Sequence, residues 1–295
     1  MIPFPEISPE IFSINVFGIK LALRWYAVSY ILGFIFALRL MKFYVGRSHL
    51  WLRNEAPLTT EQAEAFLTYL IIGVILGGRL GYVLFYNPKY YAANLFDILR
   101  VWDGGMSFHG GFLGVAIAVI IYSLANKIPL WSVADLIAIS TPPGLFFGRL
   151  ANFINAELWG SPTNVPWGVV FPGERAQDCL GVVGLCARHP SQIYEALSEG
   201  LVLFIVLVLI VKFLSFKRVG LITGAFAFGY GISRFIIEYF RVPDPQFFAD
   251  TNPYGFAMYI GEFGLTMGQI LTVPMIISGI VLIIYSARSK YVGKI

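Results

Sequence analysis

Seven apolar runs, separated by short polar segments, organise this sequence. They cover residues 21–43, 64–86, 110–126, 133–153, 197–214, 221–240 and 267–287. Several approach the roughly 20 residues that an α-helix needs to cross a hydrocarbon core about 30 Å thick. Segments rich in Gly, Pro and Asn, such as NPKYYAAN, separate the runs. The pattern predicts an all-α polytopic membrane protein, with seven transmembrane helices in a single membrane domain, residues 1–295.

The fourth run contains two adjacent prolines, Pro142 and Pro143. Proline inside a helix removes a backbone hydrogen bond, and its ring clashes with the preceding turn. We therefore expect this span to be kinked or broken, which a membrane protein tolerates where other groups satisfy the freed backbone.

Composition agrees with a membrane protein. Hydrophobic residues make up 57% of the 295 residues and charged residues only 13%, whereas a soluble domain carries roughly a quarter charged residues. The formal net charge of +4 is not arranged as a basic stripe with base-stacking residues, so nucleic acid is not expected as a partner. We attribute the positive charge to topology and to contact with anionic membrane lipids.

Lys and Arg near the span ends predict the orientation, because cytoplasmic segments carry the larger share of them. One set of connecting segments contains ten, namely Lys42, Arg47, Arg53, Lys127, Lys212, Lys217, Arg218, Arg288, Lys290 and Lys294. The other set contains six, namely Lys20, Lys89, Arg100, Arg175, Arg188 and Arg241. The richer set is expected to be cytoplasmic, which places the N-terminus outside and the C-terminus inside.

With this orientation, five spans carry polar side chains to the same depth, near their outer ends. These are Arg24 and Tyr26 in span one; Arg79, Tyr82 and Tyr86 in span two; His109 in span three; Arg149, Asn152, Asn155 and Glu157 in span four; and Tyr230, Arg234 and Glu238 in span six, with Arg241 just beyond. Chance would scatter such residues between both leaflets. Their common depth favours one shared polar site.

The charges at that depth predict the kind of ligand. An arginine at mid-membrane costs roughly 2.5–3.5 kcal/mol, and less where it can reach the interface. The arginines are Arg24, Arg79, Arg149 and Arg234, and the acids positioned to pair with them are Glu157, Glu238 and Asp103. Because cations outnumber carboxylates, we expect a guanidinium that is free to bind an external anion. A phospholipid phosphate is available at that depth and suits the planar fork of arginine.

Each polar residue also has a simpler interpretation when it is taken alone. The simpler interpretations are interfacial anchoring for Arg24 and Arg241, an intrahelical ion pair for Arg234 with Glu238, an aromatic belt for Tyr82 and Tyr86, a hydrogen-bonded structural role for His109, and solvation at a loop or interface for Glu195 and Glu199. Their convergence at one depth favours the shared site.

The sequence lacks the motifs of other kinds of catalytic site. The histidines His49, His109 and His189 form no HExxH or other metal-binding spacing. No P-loop, dinucleotide fingerprint or G-x-S-x-G elbow occurs. The sequence therefore predicts neither a metal nor a cofactor. Cys179 and Cys186 lie in one connecting segment, where they pair if that segment is exported and otherwise remain two free thiols.

Five sequence blocks resemble the bacterial prolipoprotein diacylglyceryl transferases, and the resemblance covers essentially the whole chain. GRLANFINAELWG, residues 148–160, is similar to the signature of that family, with Gly-Arg, Asn-Phe-Ile-Asn, Glu and a final Gly at this spacing. DGGMSFHGG, GGRLGYVLFYN, RHPSQIYE and SRFIIEYFR are similar to further segments of the family. Ala151 and Ala156 replace glycines expected in many relatives, but both residues remain small.

The resemblance implies a reaction. The family transfers the sn-1,2-diacylglyceryl group of phosphatidylglycerol to the thiol of the lipobox cysteine in a prolipoprotein signal peptide. A thioether forms and glycerol 1-phosphate leaves, in the first step of bacterial lipoprotein maturation. The resemblance also implies the bacterial inner membrane, with a periplasmic N-terminus and an active site towards the outer leaflet. The nucleophilic sulfur belongs to the substrate, which fits the lack of a catalytic cysteine motif.

The resemblance further implies roles for residues that match the family blocks. Arg149 is expected to grip the phosphatidylglycerol headgroup, and Arg234 is the second guanidinium, positioned by Glu238. Asn152 and Glu157 would order the headgroup or brace Arg149. The remaining substrate-binding residues are Asn155, Gly160 and Arg241.

Two further residues are expected to act on the reacting groups. Tyr26 matches a required tyrosine of the family, and His109 matches the histidine proposed to take the thiol proton. Polarisation of the thiol by an arginine is the rival to His109. A nearby cation would need to stabilise the thiolate only modestly, because a thiol with a pKa near 8.5 is already a few per cent ionised at neutral pH.

Two segments between the spans are expected on the outer face. Residues 87–108, called the arm below, include LFDILRVW and are predicted to be amphipathic and interfacial. Residues 158–192, called the head below, are predicted to be irregular or partly β. Either segment would guide the signal peptide.

The main alternative function is a lipid transporter or scramblase, with intramembrane Arg and Glu along a translocation path. That function expects polar residues that continue to the cytoplasmic side, whereas the inner halves of spans three, five, six and seven are almost wholly apolar. A membrane lipid phosphatase or phosphotransferase would need a nucleophile–base pair or an acidic metal cluster. Neither is apparent in the sequence.

Overall fold

The computed structural model describes residues 1–16, 19–101, 104–179, 182, 184–243, 245–249, 252–260 and 263–288. Within these residues, seven helical segments are long and apolar enough to cross a membrane. They span Trp25–Val45, Thr60–Phe85, His109–Asn126, Leu130–Ile154, Ser191–Leu214, Leu221–Phe240 and Met267–Arg288. The predicted seven-helix membrane fold is therefore confirmed. The largest difference is in the fifth span, which begins at Ser191 rather than at 197.

The helices are named in chain order. They are α1 (Trp25–Val45), α2 (Thr60–Phe85), α3 (Pro88–Ala93), α4 (Phe108–Asn126), α5 (Leu130–Ser140), α6 (Pro142–Ile154), α7 (Glu174–Gln177), α8 (Ser191–Glu195), α9 (Leu203–Leu214), α10 (Leu221–Ile237) and α11 (Met267–Arg288). A π-helical turn, Ala196–Val202, joins α8 to α9, and a 3-10 turn, Glu238–Phe240, extends α10.

The fourth span is broken where the prolines predict it. Helix α5 ends at Ser140 and α6 begins at Pro142, with Thr141 between them. Proline is favourable in the first turn of a helix, because its missing N–H would have no partner there. The break therefore lets α6 start afresh and carry Arg149 towards the end of the bundle.

Glycines let α2 and α4 approach closely. A Cβ added at Gly73 would lie 2.6 Å from the carbonyl oxygen of Gly114, and one at Gly77 would lie 2.8 Å from the Gly114 Cα. Small residues at such a seam bring two backbones into contact within a membrane. Ser107 caps α4 by accepting from the Gly110 N–H at 3.2 Å, which places His109 in the first turn of that helix.

Successive crossings place the connecting segments alternately at two ends of the bundle. At the head end, the Ile2 N–H donates to the Gly168 carbonyl at 2.8 Å, and the Ser161 N–H donates to the Phe240 carbonyl at 2.8 Å. At the opposite end, the far end, the rings of Trp51 and Phe216 stack with centroids 4.1 Å apart.

The main apolar core lies towards the far end. Its largest buried side chains include Met41, Trp51, Phe66, Leu136, Ile139, Leu207, Phe216 and Ile222. The fully buried carboxylate of Asp135 on α5 accepts from the Gly220 and Thr223 N–H groups at 2.7 and 2.8 Å. These N–H groups open α10 and have no partner within the helix. Asp135 therefore fixes the start of α10 against α5, a role that no motif in the sequence indicates.

Short strands lie at the head end. They are β1 (Ile2–Pro3), β2 (Glu10–Val16), β3 (Ile19–Arg24), β4 (Val169–Val170), β5 (Met258–Ile260) and β6 (Phe263–Leu265). Strand β1 pairs in parallel with β4, while β2 with β3 and β5 with β6 form antiparallel hairpins. The head contains β4 and α7, and a disulfide joins Cys179 to Cys186. The two cysteines therefore form a disulfide rather than remaining free thiols.

Candidate active site

Three arginines converge on one buried carboxylate near the head end. Nε of Arg149, on α6, lies 3.2 Å from Oε2 of Glu195, the last residue of α8. Arg234, on α10, contacts Oε1 of Glu195 through Nη1, and Nη1 of Arg241 lies 2.7 Å from the same oxygen. Glu195 is fully buried. Helices that are distant in sequence are therefore joined through a single side chain.

Two more glutamates complete this cluster. Oε2 of Glu199, in the π-helical turn, lies 3.5 Å from Nη2 of Arg149. Oε2 of Glu238 lies 3.1 Å from Nη2 of Arg234 and 3.6 Å from Nε of Arg241. We call the set of Arg149, Arg234, Arg241, Glu195, Glu199 and Glu238 the arginine–glutamate network.

The predicted excess of arginine over carboxylate is wrong for this cluster. Within the described residues the network holds three arginines and three glutamates, because Glu195 and Glu199 are buried in it rather than solvated at an interface. Asp103, the other acid expected to take part, lies outside the described residues. Formal charge therefore balances inside the network.

The buried and the accessible faces of the network nevertheless differ in charge. The carboxylate side chains of Glu195 and Glu199 are 0% exposed, whereas the side chains of Arg149 and Arg234 are each 19% exposed and that of Arg241 is 18% exposed. Each guanidinium has five N–H donors, and the carboxylates hold it from the buried side. The accessible side of the network is therefore cationic and suited to an anion.

The other two arginines expected in the shared site have separate partners. Arg79 donates to the backbone carbonyls of Asp97 and Gly104, each at 2.5 Å, and of Ile98 at 2.9 Å. Its guanidinium therefore fastens the arm to α2 rather than joining the network. Arg24 lies 3.6 Å from Glu10 across the β2–β3 hairpin, and its side chain is 64% exposed.

The signature segment forms a tight turn after α6. Nδ2 of Asn152 donates to Oε1 of Glu157 at 2.7 Å, and the Glu157 carbonyl accepts from Nε2 of Gln192 at 2.6 Å. Ala156 has φ +51°, in the left-handed region where glycine is favoured, which explains the glycine expected there in relatives. Asn155 also reaches Oε1 of Glu157, at 3.5 Å. The two asparagines thus orient the Glu157 carboxylate, while Glu195 and Glu199 brace Arg149.

Gly160 joins the head to the segment after α10. Its N–H donates to the His189 carbonyl at 2.9 Å, and it forms a β-bridge with Arg241. A Cβ at this position would overlap the Phe240 carbonyl and lie 2.8 Å from the His189 Cβ. Glycine at the end of the signature therefore permits the close approach that holds Arg241 in the network.

Two tyrosines lie beside the network. Tyr230, on α10, interacts electrostatically with Arg149 and Arg234. Tyr26 opens α1 and packs against Tyr30 with ring centroids 5.2 Å apart, and it interacts electrostatically with both Arg149 and Glu157. Tyr26 is thus close enough to the signature segment to interact with it, and its expected role in the site stays a prediction.

His109 occupies an exposed position in the first turn of α4. That helix packs against α2, whereas the arginine–glutamate network is built from α6, α8, the π-helical turn and the end of α10. The structure thus leaves the expected role of His109 in proton transfer as a prediction.

Three further buried charged residues have contacts that no motif in the sequence indicates: Glu195, Glu199 and Arg188. Arg188 is buried in the head, where it donates to the Ala176 and Asp178 carbonyls at 2.5 and 2.7 Å. Its guanidinium carbon also lies 4.0 Å from the Trp159 ring centroid. Burial lowers the pKa of its guanidinium below the ordinary arginine value. The block RHPSQIYE contains both Arg188 and Glu195, so it is the sequence feature that could have indicated these two residues.

The fold and this site define a class of protein, a polytopic membrane protein with a partly exposed cationic site near one end of its helix bundle. The profile of the family described as prolipoprotein diacylglyceryl transferase matches residues 13–285. The chain belongs to this family, which confirms the resemblance inferred from its sequence blocks.

Relatives agree over nearly the full length. The chain is 56% identical to phosphatidylglycerol–prolipoprotein diacylglyceryl transferase of Cereibacter sphaeroides strain ATCC 17025, over 98% of this chain and 99% of the relative. It is 58% identical to the protein of that name from Ruegeria pomeroyi, over 94% of each chain. The protein of that name from Methylocella silvestris is 41% identical, over 99% of this chain and 98% of the relative. The chain is thus an enzyme, a transferase.

Proposed function

We infer that this chain catalyses phosphatidylglycerol-dependent transfer of a diacylglyceryl group to prolipoproteins, the first step of lipoprotein maturation. Membership of the family over residues 13–285 and the names of full-length relatives support this function. The alternative of a lipid transporter or scramblase is not supported, because these relatives are named as transferases.

The proposed chemistry is a substitution at carbon. The thiol sulfur of the lipobox cysteine attacks the glyceryl carbon that carries the phosphate. A C–S bond forms as the C–O bond to the phosphate breaks, and the electron pair stays on the phosphate oxygen. Glycerol 1-phosphate leaves, and the thiol proton passes to a base. Negative charge therefore grows on the phosphate, where fixed cations stabilise the transition state.

The observation that carries the residue assignment is the convergence of Arg149, Arg234 and Arg241 on Glu195. We propose that Arg149 and Arg234 bind the lipid phosphate on the accessible side of the network, with Arg241 beside them. Glu238 contacts both Arg234 and Arg241 and holds their orientation. Arginine suits this task, because its planar fork binds two phosphate oxygens at once.

The remaining residues are proposed to order the substrates around that phosphate. Asn152, Asn155 and Glu157 form the polar edge of the signature turn and would bind the glycerol hydroxyls. Tyr26 interacts electrostatically with Glu157 in this turn and with Arg149. His109 is proposed as the base for the thiol, with arginine polarisation of the thiol as the rival.

The decisive experiment incubates the purified protein with phosphatidylglycerol and a lipobox peptide, and measures release of glycerol 1-phosphate. We expect release with the cysteine peptide and none with a matched serine peptide, because the sulfur is the nucleophile. Release that is indifferent to the thiol would instead indicate a lipase-like enzyme. In the same assay, His109→Gln should lose more activity at neutral pH than at high pH if His109 is the base, because the thiolate forms without a base at high pH.

We propose that the protein resides in the bacterial inner membrane with the head end in the periplasm. The excess of Lys and Arg in the far-end segments supports this orientation. The Cys179–Cys186 disulfide supports it independently, because disulfides persist in oxidising compartments.

Labelling with a membrane-impermeant maleimide tests this orientation. In reduced spheroplasts we expect Cys179 to react, because it is partly exposed, whereas Cys186 is buried. The matched control is Glu55→Cys in a chain lacking both native cysteines, since Glu55 is exposed at the far end. That thiol should react only after permeabilisation, and its labelling in intact spheroplasts would reverse the proposed topology.

The arm is proposed to lie in the membrane interface and contact lipid. Phe96 is 88% exposed and Leu99 is 72% exposed, an unfavourable arrangement in water. Arg79 holds the backbone of this segment against α2, while these side chains remain available to the lipid. The arm and the head are the segments proposed to receive the lipobox signal peptide.

A further inference from the structure

We propose that Glu195 is a positioning residue for the transfer reaction, because its carboxylate aligns the three arginines of the network as one anion-binding unit. The inference rests on the proposed role of these arginines in binding the lipid phosphate. Glu195 itself is fully buried, so it acts through the guanidiniums rather than by touching the substrate.

The geometry divides the carboxylate among the three cations. Oε1 of Glu195 contacts both Arg234 and Arg241, while Oε2 faces Nε of Arg149 at 3.2 Å. Guanidiniums brought this close repel one another, and the repulsion is strong where water is excluded. A shared anion at their centre offsets this repulsion and fixes their separation. Without it, the three side chains would move apart to rotamers that no longer face a single phosphate.

The local fold brings Glu195 to this position. Gly200, in the π-helical turn, lies directly against α6, because an added Cβ would come within 2.6 Å of the Phe146 Cβ and 2.8 Å of its Cα. The turn therefore packs close to the helix that carries Arg149. Ser191 and Gln192 in α8 donate to the Leu158 and Glu157 carbonyls at 2.9 and 2.6 Å. These contacts fix the helix on which Glu195 stands.

The π-helical turn also keeps the buried face of this span continuous. Gln192, Ala196, Gly200, Leu203, Leu207 and Val211 are buried, mostly four residues apart. A spacing of four drifts around a regular α-helix of 3.6 residues per turn, and a π-helical turn corrects that drift. Glu195 and Glu199 lie beside this buried face and point towards α6 and α10.

Glu199 provides a matched comparison within the same helix. It is as fully buried as Glu195 and stands four residues later. Among the described residues, its only ion pair is with Arg149 at 3.5 Å, and neither of its carboxylate oxygens has a hydrogen-bond partner. Loss of charge at either position removes a buried carboxylate, but within the described part of the chain only Glu195 contacts all three arginines of the network.

The test compares Glu195→Gln with Glu199→Gln in the purified full-length protein. Both variants keep side-chain volume and remove the charge. We expect Glu195→Gln to lower kcat/KM for phosphatidylglycerol about 100-fold, as misplacement of binding groups by about 1 Å does elsewhere. Glu199→Gln should lower it less than tenfold. Equal losses in the two variants, or native kinetics in Glu195→Gln, would overturn the proposal.

Two further measurements separate positioning from a general structural role. Glu195→Asp keeps the charge and shortens the side chain, so it should fold even if Glu195→Gln does not, yet still lose at least about tenfold in kcat/KM. Native kinetics in Glu195→Asp would contradict the proposal. The effects of Glu195→Gln and Arg241→Ala on phosphatidylglycerol affinity should be less than additive, because both remove the same contact. Full additivity would exclude action through Arg241.

The outcome also distinguishes this inference from the proposed function. If Arg149→Ala abolishes consumption of phosphatidylglycerol while Glu195→Gln leaves it native, the role of Glu195 fails and the phosphate site stands. If Arg149→Ala consumes phosphatidylglycerol at the native rate, the proposed phosphate site fails as well.

Discussion

Replacement of Arg149 by alanine is expected to lower kcat/KM for phosphatidylglycerol by about 100- to 1,000-fold or more, the usual effect of removing one fixed donor to a developing anion. Arg149 has a second function in the structure, because it pairs with both Glu195 and Glu199. Its loss leaves buried carboxylates short of a counter-charge, which destabilises a protein by about 3–5 kcal/mol. The variant should therefore be assayed together with its melting temperature and its extraction from membranes.

Arg149→Lys is the matched control for that experiment. Lysine keeps the positive charge near Glu195 and Glu199 but lacks the planar fork that binds two phosphate oxygens. We expect near-native stability with activity that remains strongly reduced. A lysine variant as active as the native enzyme would show that charge alone suffices, and an active alanine variant would remove Arg149 from the site.

Replacement of Gly160 by alanine is expected to reduce both stability and activity. The added Cβ would overlap the Phe240 carbonyl and crowd His189, and overpacking of this kind costs about 1–3 kcal/mol. The head and the segment after α10 must then separate, which displaces Arg241 from Glu195. We expect about a 100-fold loss in kcat/KM, since small misplacements of binding groups have effects of that size.

Gly144→Ala is the control for the effect of a methyl group itself. Gly144 lies on α6, and among the described residues a Cβ there would meet only the Gly33 Cα at 3.8 Å, an ordinary contact. This variant should melt and turn over like the native protein. If Gly160→Ala behaved in the same way, the close approach at the end of the signature would have no functional importance.

The sequence predicts the helices well because lipid imposes a simple rule on them. Every lipid-facing side chain must be apolar over a full crossing, so hydropathy locates the spans. The rule fails where a span turns its polar side chains inward. Hydropathy places the start of the fifth span too late, because Ser191, Gln192, Glu195 and Glu199 have the pattern of a polar loop. Their partners lie on α6 and α10, far away in the sequence.

The site residues divide along the same line. Arg149, Arg234 and Glu238 meet in one network, as their common depth predicts, and their roles in the site stay a proposal. Arg79 satisfied the same criterion, yet the structure ties it to carbonyls of the arm. Backbone acceptors carry no residue identity, so no sequence pattern reveals them. For the same reason no sequence pattern indicates the contacts of Arg188, which donates to backbone carbonyls inside the head.

The unequal distribution of packing along the bundle has a practical consequence. Large buried apolar side chains such as Trp51 and Phe216 fill the far end, whereas ion pairs and hydrogen bonds dominate around Glu195. Stabilising substitutions in the far-end core are therefore expected to leave turnover unchanged, because none of the residues described in this core belongs to the network. The far end of the bundle is therefore the region for substitutions that raise thermal stability, for crystallisation or inhibitor screening, without altering the active site.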